Sequence, residues 1–287
     1  MDLSAVPPTF FIASGVLTIT TLNLINRRAV HACQSLWGVI AANYATALAL
    51  SVAMALVWGV SSISPLTLGL GFVTGFLYIG GMFLGMTMIG RRGASIAVSA
   101  SQLSVLIPVS MSVALYGENL KWSQFLGVTL ALVSLPLLAA KGGKDGGTPD
   151  RGTLALLAAM LLVQGFAQLS SKVLVASGLE AERSAFFLAV FTSATLVTVP
   201  VALRHRREVG AADFGYGAVV GVCNIGGNLS ILLALVALPG AVVFPLVSSG
   251  GLLLVTTLAA LIFRERVGRV NALGMALTLL AVVLINV

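Results

Sequence analysis

Several amides and hydroxyls sit inside long apolar runs, where a polar group needs a reason to be. Gln164, Gln168 and Ser171 recur at i, i+4 and i+7, the spacing that sets three side chains on one face of a helix. Asn224 and Asn228 share a face of a second run, and Tyr78 stands in a third. Ser99 with Gln102, Ser248 with Ser249, and Asn23, Asn26 and Asn43 add further donors and acceptors. Lys172 is the only basic residue within an apolar run. Its ammonium either pairs with an anionic or zwitterionic solute or snorkels to the nearby helix end. Away from water an unpaired polar group is costly, so each amide either lines a path for a polar solute or bonds to a neighbouring helix. The expected substrate-binding set is Asn23, Asn43, Tyr78, Ser99, Gln102, Gln164, Gln168, Lys172, Asn224, Asn228, Ser248 and Ser249.

The groups that would do harder chemistry are missing from these runs. The nine carboxylates are Asp2, Glu118, Asp145, Asp150, Glu180, Glu182, Glu208, Asp213 and Glu265, and none lies in the middle of an apolar run. His31 and His205 stand beside loop arginines, with no second ligand at metal spacing. Cys33 and Cys223 make neither a disulfide framework nor a metal motif and read as small apolar filler. The Gly-rich stretch near residue 145 lacks the lysine-serine arrangement of a P-loop. We therefore expect no catalytic residues, no metal, no cofactor and no enzyme activity.

The elements that hold these residues follow from composition. Of 287 residues 58% are hydrophobic and 9% charged, against roughly 25% charged in a soluble domain. The partner of most of this surface is the lipid bilayer. The 16 basic residues, for a net charge of +7, are scattered between apolar runs, which excludes a nucleic-acid partner. A spanning helix takes about 20 residues. Ten segments qualify, near 9–26, 33–59, 65–90, 94–116, 121–140, 153–176, 184–203, 213–238, 240–263 and 268–286. Runs so long and so rich in Leu and Ala lack the alternation of a membrane barrel strand. The start Met1-Asp2-Leu3-Ser4 has no basic region, so the first run is expected to stay as a signal-anchor span.

The polar stretch from Lys141 to Arg151 falls at the midpoint, with five segments on each side. The halves align. Gly71, Gly75 and Ile79-Gly80-Gly81 fall on Gly217, Gly221 and Ile225-Gly226-Gly227 at an offset of 146, and Tyr78 falls on Asn224. Gly93-Ala94, Glu118 and Leu126-Gly127 fall on Gly240-Ala241, Glu265 and Leu273-Gly274 at an offset of 147. An odd number of spans per copy inserts the second copy upside down. The loop charges agree. One side of the membrane receives Arg27, Arg28, Arg91, Arg92, Lys141, Lys144, Arg151, Arg204, Arg206, Arg207, Arg264, Arg266 and Arg269, and the other only Lys121 and Arg183. The positive-inside rule then puts both termini outside the cytoplasm. The expected fold is an all-α integral membrane protein of ten transmembrane helices in two inverted five-helix repeats. Residues 1–140 and 153–287 form the repeats, and 141–152 form a flexible linker.

The equivalent glycine pairs allow close helix packing, or else a dimer seam, so the chain is a monomer or a homodimer. Pro108 and Pro245, inside the fourth and ninth segments, each free a carbonyl and offer a kink. Glu118 and Glu265 each precede a helix start and read as turn residues with local ion pairs.

The stretches Gly117-Glu118-Asn119-Leu120-Lys121-Trp122 to Gly127, and Arg264-Glu265-Arg266-Val267-Gly268 to Gly274, resemble the turn before the last span of an EamA-type repeat. The run Gly165 to Lys172 resembles the opening span of such a repeat. The resemblance covers nearly the whole chain as two tandem copies of this drug/metabolite transporter superfamily module. It implies a plasma (inner) membrane transporter that moves a small metabolite by alternating access. Two positions differ from it: Leu22 stands where the second half has Lys172, and the family pattern implies cytoplasmic termini. With no acid in mid-span, carboxylate-based proton/cation exchange is disfavoured. A neutral, zwitterionic or anionic solute such as an amino acid is expected instead, with a flippase for a lipid-linked intermediate as the alternative.

Overall fold

We describe the fold from a computed structural model covering residues 6–33, 35–60, 63–92, 101, 103–118, 120–139, 151–263 and 269–286. Among these residues there are ten α-helices and no strand. They are α1 (Pro8–Ala32), α2 (Leu36–Trp58), α3 (Pro65–Arg92), α4 (Leu106–Tyr116), α5 (Trp122–Ala139), α6 (Arg151–Ala176), α7 (Arg183–Arg204), α8 (Ala211–Ala237), α9 (Gly240–Phe263) and α10 (Arg269–Asn286). Short 3-10 turns at Glu180–Glu182 and Arg206–Glu208 lead into α7 and α8.

Among the described residues six helices are long and apolar enough to cross a membrane: α1, α2, α3, α6, α7 and α8. The apolar stretches of the other four are shorter, at Leu106–Tyr116, Trp122–Ser134, Gly240–Val255 and Ala272–Ala281. Residues 93–100, 140–150 and 264–268, which include Glu265 and the expected linker up to Asp150, lie outside the described residues, and Arg151 and Gly152, expected at the linker's end, open α6.

The chain forms two compact units, each built from both halves of the sequence. The first joins residues 1–82 to 170–236 and the second joins 83–169 to 237–287.

In the first unit α2 packs along α7 over a core that includes Tyr44, Phe186, Phe187 and Phe191. The Phe187 and Phe191 rings stack at 6.1 Å. The start of α7 meets the end of α2, with the Arg183 guanidinium 5.2 Å from the Trp58 ring centre, so the two helices run antiparallel. Glycines then bring two more helices to backbone contact. A Cβ on Gly217 of α8 would meet Ala42 Cβ and Val39 O of α2, each at 2.5 Å. A Cβ on Gly71 of α3 would meet Ala189 Cβ at 2.6 Å and Phe186 O at 2.9 Å on α7. One turn on, Gly221 faces Asn43 O and Thr46 of α2, and Gly75 faces Val190 O and Ser193 of α7. The close packing expected of both glycine pairs is thus made inside the chain, on equivalent atoms of two different helices.

A buried carboxylate fixes the start of each pair. Asp213 is 0% exposed and its Oδ2 accepts the amides of Gly210 at 2.9 Å and Ser35 at 3.1 Å, which ties the start of α8 to the start of α2. Glu182 is 6% exposed and its Oε2 accepts the amide and hydroxyl of Ser64, both at 2.9 Å. Ser64 Oγ in turn accepts the Thr67 amide in the first turn of α3. Each acid sits where unpaired helix N–H groups and the helix dipole favour negative charge. Because starts meet starts, α2 and α8 run parallel, and so do α3 and α7.

In the second unit α5 packs on α10, and α9 packs on α4, α5 and α10. Thr278 donates to Ser134 at 2.9 Å across the α5–α10 contact. Met88 and Met160 form a small core with Leu84, Leu156 and Leu157. Glu118 accepts the amides of Gly240 and Ala241, both at 2.9 Å. Its carboxylate therefore caps α9, a helix more than a hundred residues away, in addition to any part it plays in its own turn. Ser101 and Leu103 are helical, the chain turns at Ser104 and Val105, and α4 begins at Leu106 with Pro108 in its first turn, so the interruption falls where Pro108 has no N–H to offer the Ser104 carbonyl. Pro245 lies inside α9.

Candidate functional site

The polar residues of the first unit meet at mid-helix. Tyr78 and Met82 lie four apart on α3, Asn224 and Asn228 lie four apart on α8, and Asn43 lies on α2. They form one hydrogen-bonded chain. Tyr78 Oη donates to Asn228 Oδ1 at 2.5 Å. Asn228 Nδ2 donates to Asn224 Oδ1 and to the Asn224 carbonyl, both at 2.8 Å. Asn224 Nδ2 donates to Asn43 Oδ1 at 3.2 Å. Asn43 Nδ2 reaches the Met82 sulfur at 3.7 Å, a weak acceptor. Asn43 is buried at 1% exposure, while Tyr78, Met82, Asn224 and Asn228 keep part of their surface open. The Tyr78 ring leans against Phe191 of α7, 6.4 Å between centres. Nearby on α1, Ser14 accepts from Ser230 of α8 at 3.1 Å.

This chain carries no formal charge. Its groups are three carboxamides, a phenol and a thioether. Among the described residues no three His, Cys, Asp or Glu side chains come together as a metal site would need.

The second unit brings together other members of the expected set. Gln164 of α6 accepts from the Ser101 hydroxyl, and Gln168 donates to Ser104 Oγ at 2.8 Å. Between them Gly165 admits Ile107, which would contact an added Cβ at 2.5 Å. These two glutamines thus bond to the segment before α4.

Asn23 donates to Ile19 O of its own helix at 3.0 Å. Ser249 donates to Pro245 O at 2.6 Å within α9, and Ser248 is buried beside it. Lys172, in the first unit, is 8% exposed, so protein encloses its side chain rather than leaving it on the surface. Ser99 and Gln102 lie outside the described residues. Met82, Ser14 and Ser230 join the polar chain or its neighbourhood without having been singled out. Met82 had a signal, since it follows Tyr78 by four and occupies the repeat position of Asn228.

No family model matches the chain. It is 26% identical over 222 residues to a protein of Haemophilus influenzae described as uncharacterized, covering 76% of this chain and 74% of that one. A protein of known crystal structure superposes with a TM-score of 0.69, covering 96% of this chain and 95% of that one at 17% identity. At that identity the likeness establishes a shared fold and no activity.

Proposed function

We propose that this chain is a multi-pass transporter of the EamA-like type, in the drug/metabolite transporter superfamily, that moves a small neutral, zwitterionic or anionic metabolite by alternating access. The observation that carries the reading is the uncharged chain Tyr78–Asn228–Asn224–Asn43–Met82, set at mid-helix with four members partly open. Polar groups at the midplane of repeats are where such transporters hold their cargo. Interhelical hydrogen bonds inside membranes average only about 0.6 kcal/mol. A solute with matching donors and acceptors therefore displaces them at small cost.

In this reading all ten apolar segments of the sequence, of which α4 is the end of the one at 94–116, span the plasma (inner) membrane, as two inverted repeats over 1–140 and 153–287, with both termini outside. The equivalent contacts of Gly71 with α7 and Gly217 with α2 support the two-fold relation. The loop charges support the orientation. Outward-facing apolar side chains such as Leu56, Phe76, Leu115 and Leu196 support a lipid environment, since a water-soluble monomer rarely exposes so many.

A binding screen tests this. Purified protein is melted in the presence of amino acids, sugars, nucleosides, organic cations and a lipid-linked sugar carrier. A ligand at 100 times its Kd stabilises the folded state by about 2.7 kcal/mol. The proposal predicts at least one small-solute hit that Asn224→Ala abolishes. A screen whose only hit is the lipid carrier favours a flippase, and hits indifferent to Asn224→Ala contradict the assigned site.

A further inference from the structure

The first unit contains two glycine-packed helix pairs, joined on one side by the α2–α7 core and on the other by a weaker contact of α3 with α8 and α2. Within each pair the helices touch through glycines at backbone distance, Gly217 and Gly221 on α2, Gly71 and Gly75 on α7. A buried carboxylate pins each pair at its starting end: Asp213 for α2 with α8, Glu182 for α3 with α7. The parallel pairs run in opposite directions, so the two pins lie at opposite ends of the unit. The bonds from α3 to α8 and to α2 are of another kind. Among the described residues they include two side-chain contacts at mid-height, Tyr78 to Asn228 and Asn43 to Met82. Backbone packing against glycine has no compliant atom to give way, whereas a phenol-to-amide bond can be exchanged for another partner.

We infer that the mid-height seam between α3 and α8 is the moving joint of the site, and that the ligand enters by replacing the Tyr78–Asn228 bond. This rests on the transport reading for its purpose, but its geometry is independent of it. When the bond opens, Tyr78 Oη needs an acceptor. Asn228 Oδ1 needs a donor, because Asn228 Nδ2 remains engaged with Asn224. The entering group must therefore supply both at adjacent atoms, as a carboxamide does and a carboxylate does not.

Thiol accessibility tests the joint without knowledge of the solute. In a Cys33→Ser, Cys223→Ala background reconstituted in liposomes, Met82→Cys reports on the seam. Ala47→Cys and Ala194→Cys report on the pairs, both sites being 0% exposed. With a water-soluble cationic methanethiosulfonate, modification at position 82 should be at least tenfold faster than at 47 or 194. Adding Tyr78→Phe should raise the rate at 82 by about threefold, as loss of one interhelical bond implies, and leave 47 and 194 unchanged. Acetamide should slow modification at 82 more than acetate at equal concentration. Leu229→Cys, beside Asn228 on α8 and partly open, repeats the measurement if Met82→Cys does not fold. Equal rates at all sites, or no response to Tyr78→Phe, overturns the joint. Protection by acetate rather than acetamide, or by neither, overturns the ligand chemistry. A protein that passes these tests and exchanges no solute keeps the joint and loses the transport reading.

Discussion

Alanine at Gly71 and Gly217 offers a sharp test of how the first unit is held together. An added Cβ at Gly217 would lie 2.5 Å from Ala42 Cβ, and at Gly71 2.6 Å from Ala189 Cβ. Carbon atoms rest at about 3.5–4.0 Å, so each helix pair must part by roughly 1 Å. Overpacking of this kind costs about 1–3 kcal/mol. Gly69 and Gly215 lie two residues earlier, on the opposite side of the same helices, and a Cβ on either meets nothing within 4 Å. Alanine there should be neutral or stabilise by up to about 1 kcal/mol through helix propensity. At about 2–4 °C per kcal/mol for a chain near this size, Gly71→Ala and Gly217→Ala should melt roughly 2–12 °C below their controls. The two shifts should also match, because the contacting atoms are equivalent. Melting by fluorescence-detected size exclusion reads the difference. If Gly71→Ala and Gly217→Ala behave like Gly69→Ala and Gly215→Ala, the helices are not held at backbone contact. If only one is sensitive, the equivalence fails.

Three further outcomes follow. Asp213→Ala leaves the Ser35 and Gly210 amides without their carboxylate, at about 1–3 kcal/mol for each buried group left unpaired. It should therefore melt well below Asp213→Asn, which keeps an acceptor; equal melting would deny Asp213 its clasp. Cys33, in the turn between α1 and α2, has its thiol pushed up to about 11 by burial and then by the hydrogen bond and charge of Asp213. The reactive thiolate is thus scarce at pH 7, and maleimide labelling should rise about tenfold per pH unit through pH 10. A plateau near pH 9 would contradict this. A cysteine tag at either terminus should react with an impermeant maleimide in intact cells, and labelling only after lysis would reverse the proposed orientation.

Much of the fold was legible because membrane helices are written in one variable, the length of an apolar run. The glycine pairs were legible for a related reason: only glycine permits backbone contact, so Gly71 and Gly75 recurring as Gly217 and Gly221 announced two close packings. Spacing also put Asn224 with Asn228, and Tyr78 at the matching position. Long-range pairing was not legible. Nothing local in Glu118 tells that its carboxylate reaches α9, because any exposed helix start offers the same amides. Met82 was hidden by its type, since a thioether reads as core filler until an amide is found against it. Gln164 and Gln168 shared a face by spacing, but their bonds to Ser101 and Ser104 depend on which segment packs beside α6.

Counterflow in proteoliposomes is the most direct measurement of transport. Vesicles loaded with an unlabelled solute that stabilises the protein are diluted into its labelled form, and transient accumulation is followed. The expected result is saturable exchange, faster with solute on the opposite side than without, and strongly reduced by Asn224→Ala or Asn228→Ala in protein that still folds. Exchange no faster than in protein-free vesicles, for every solute that binds, would contradict the proposal that this chain is a transporter.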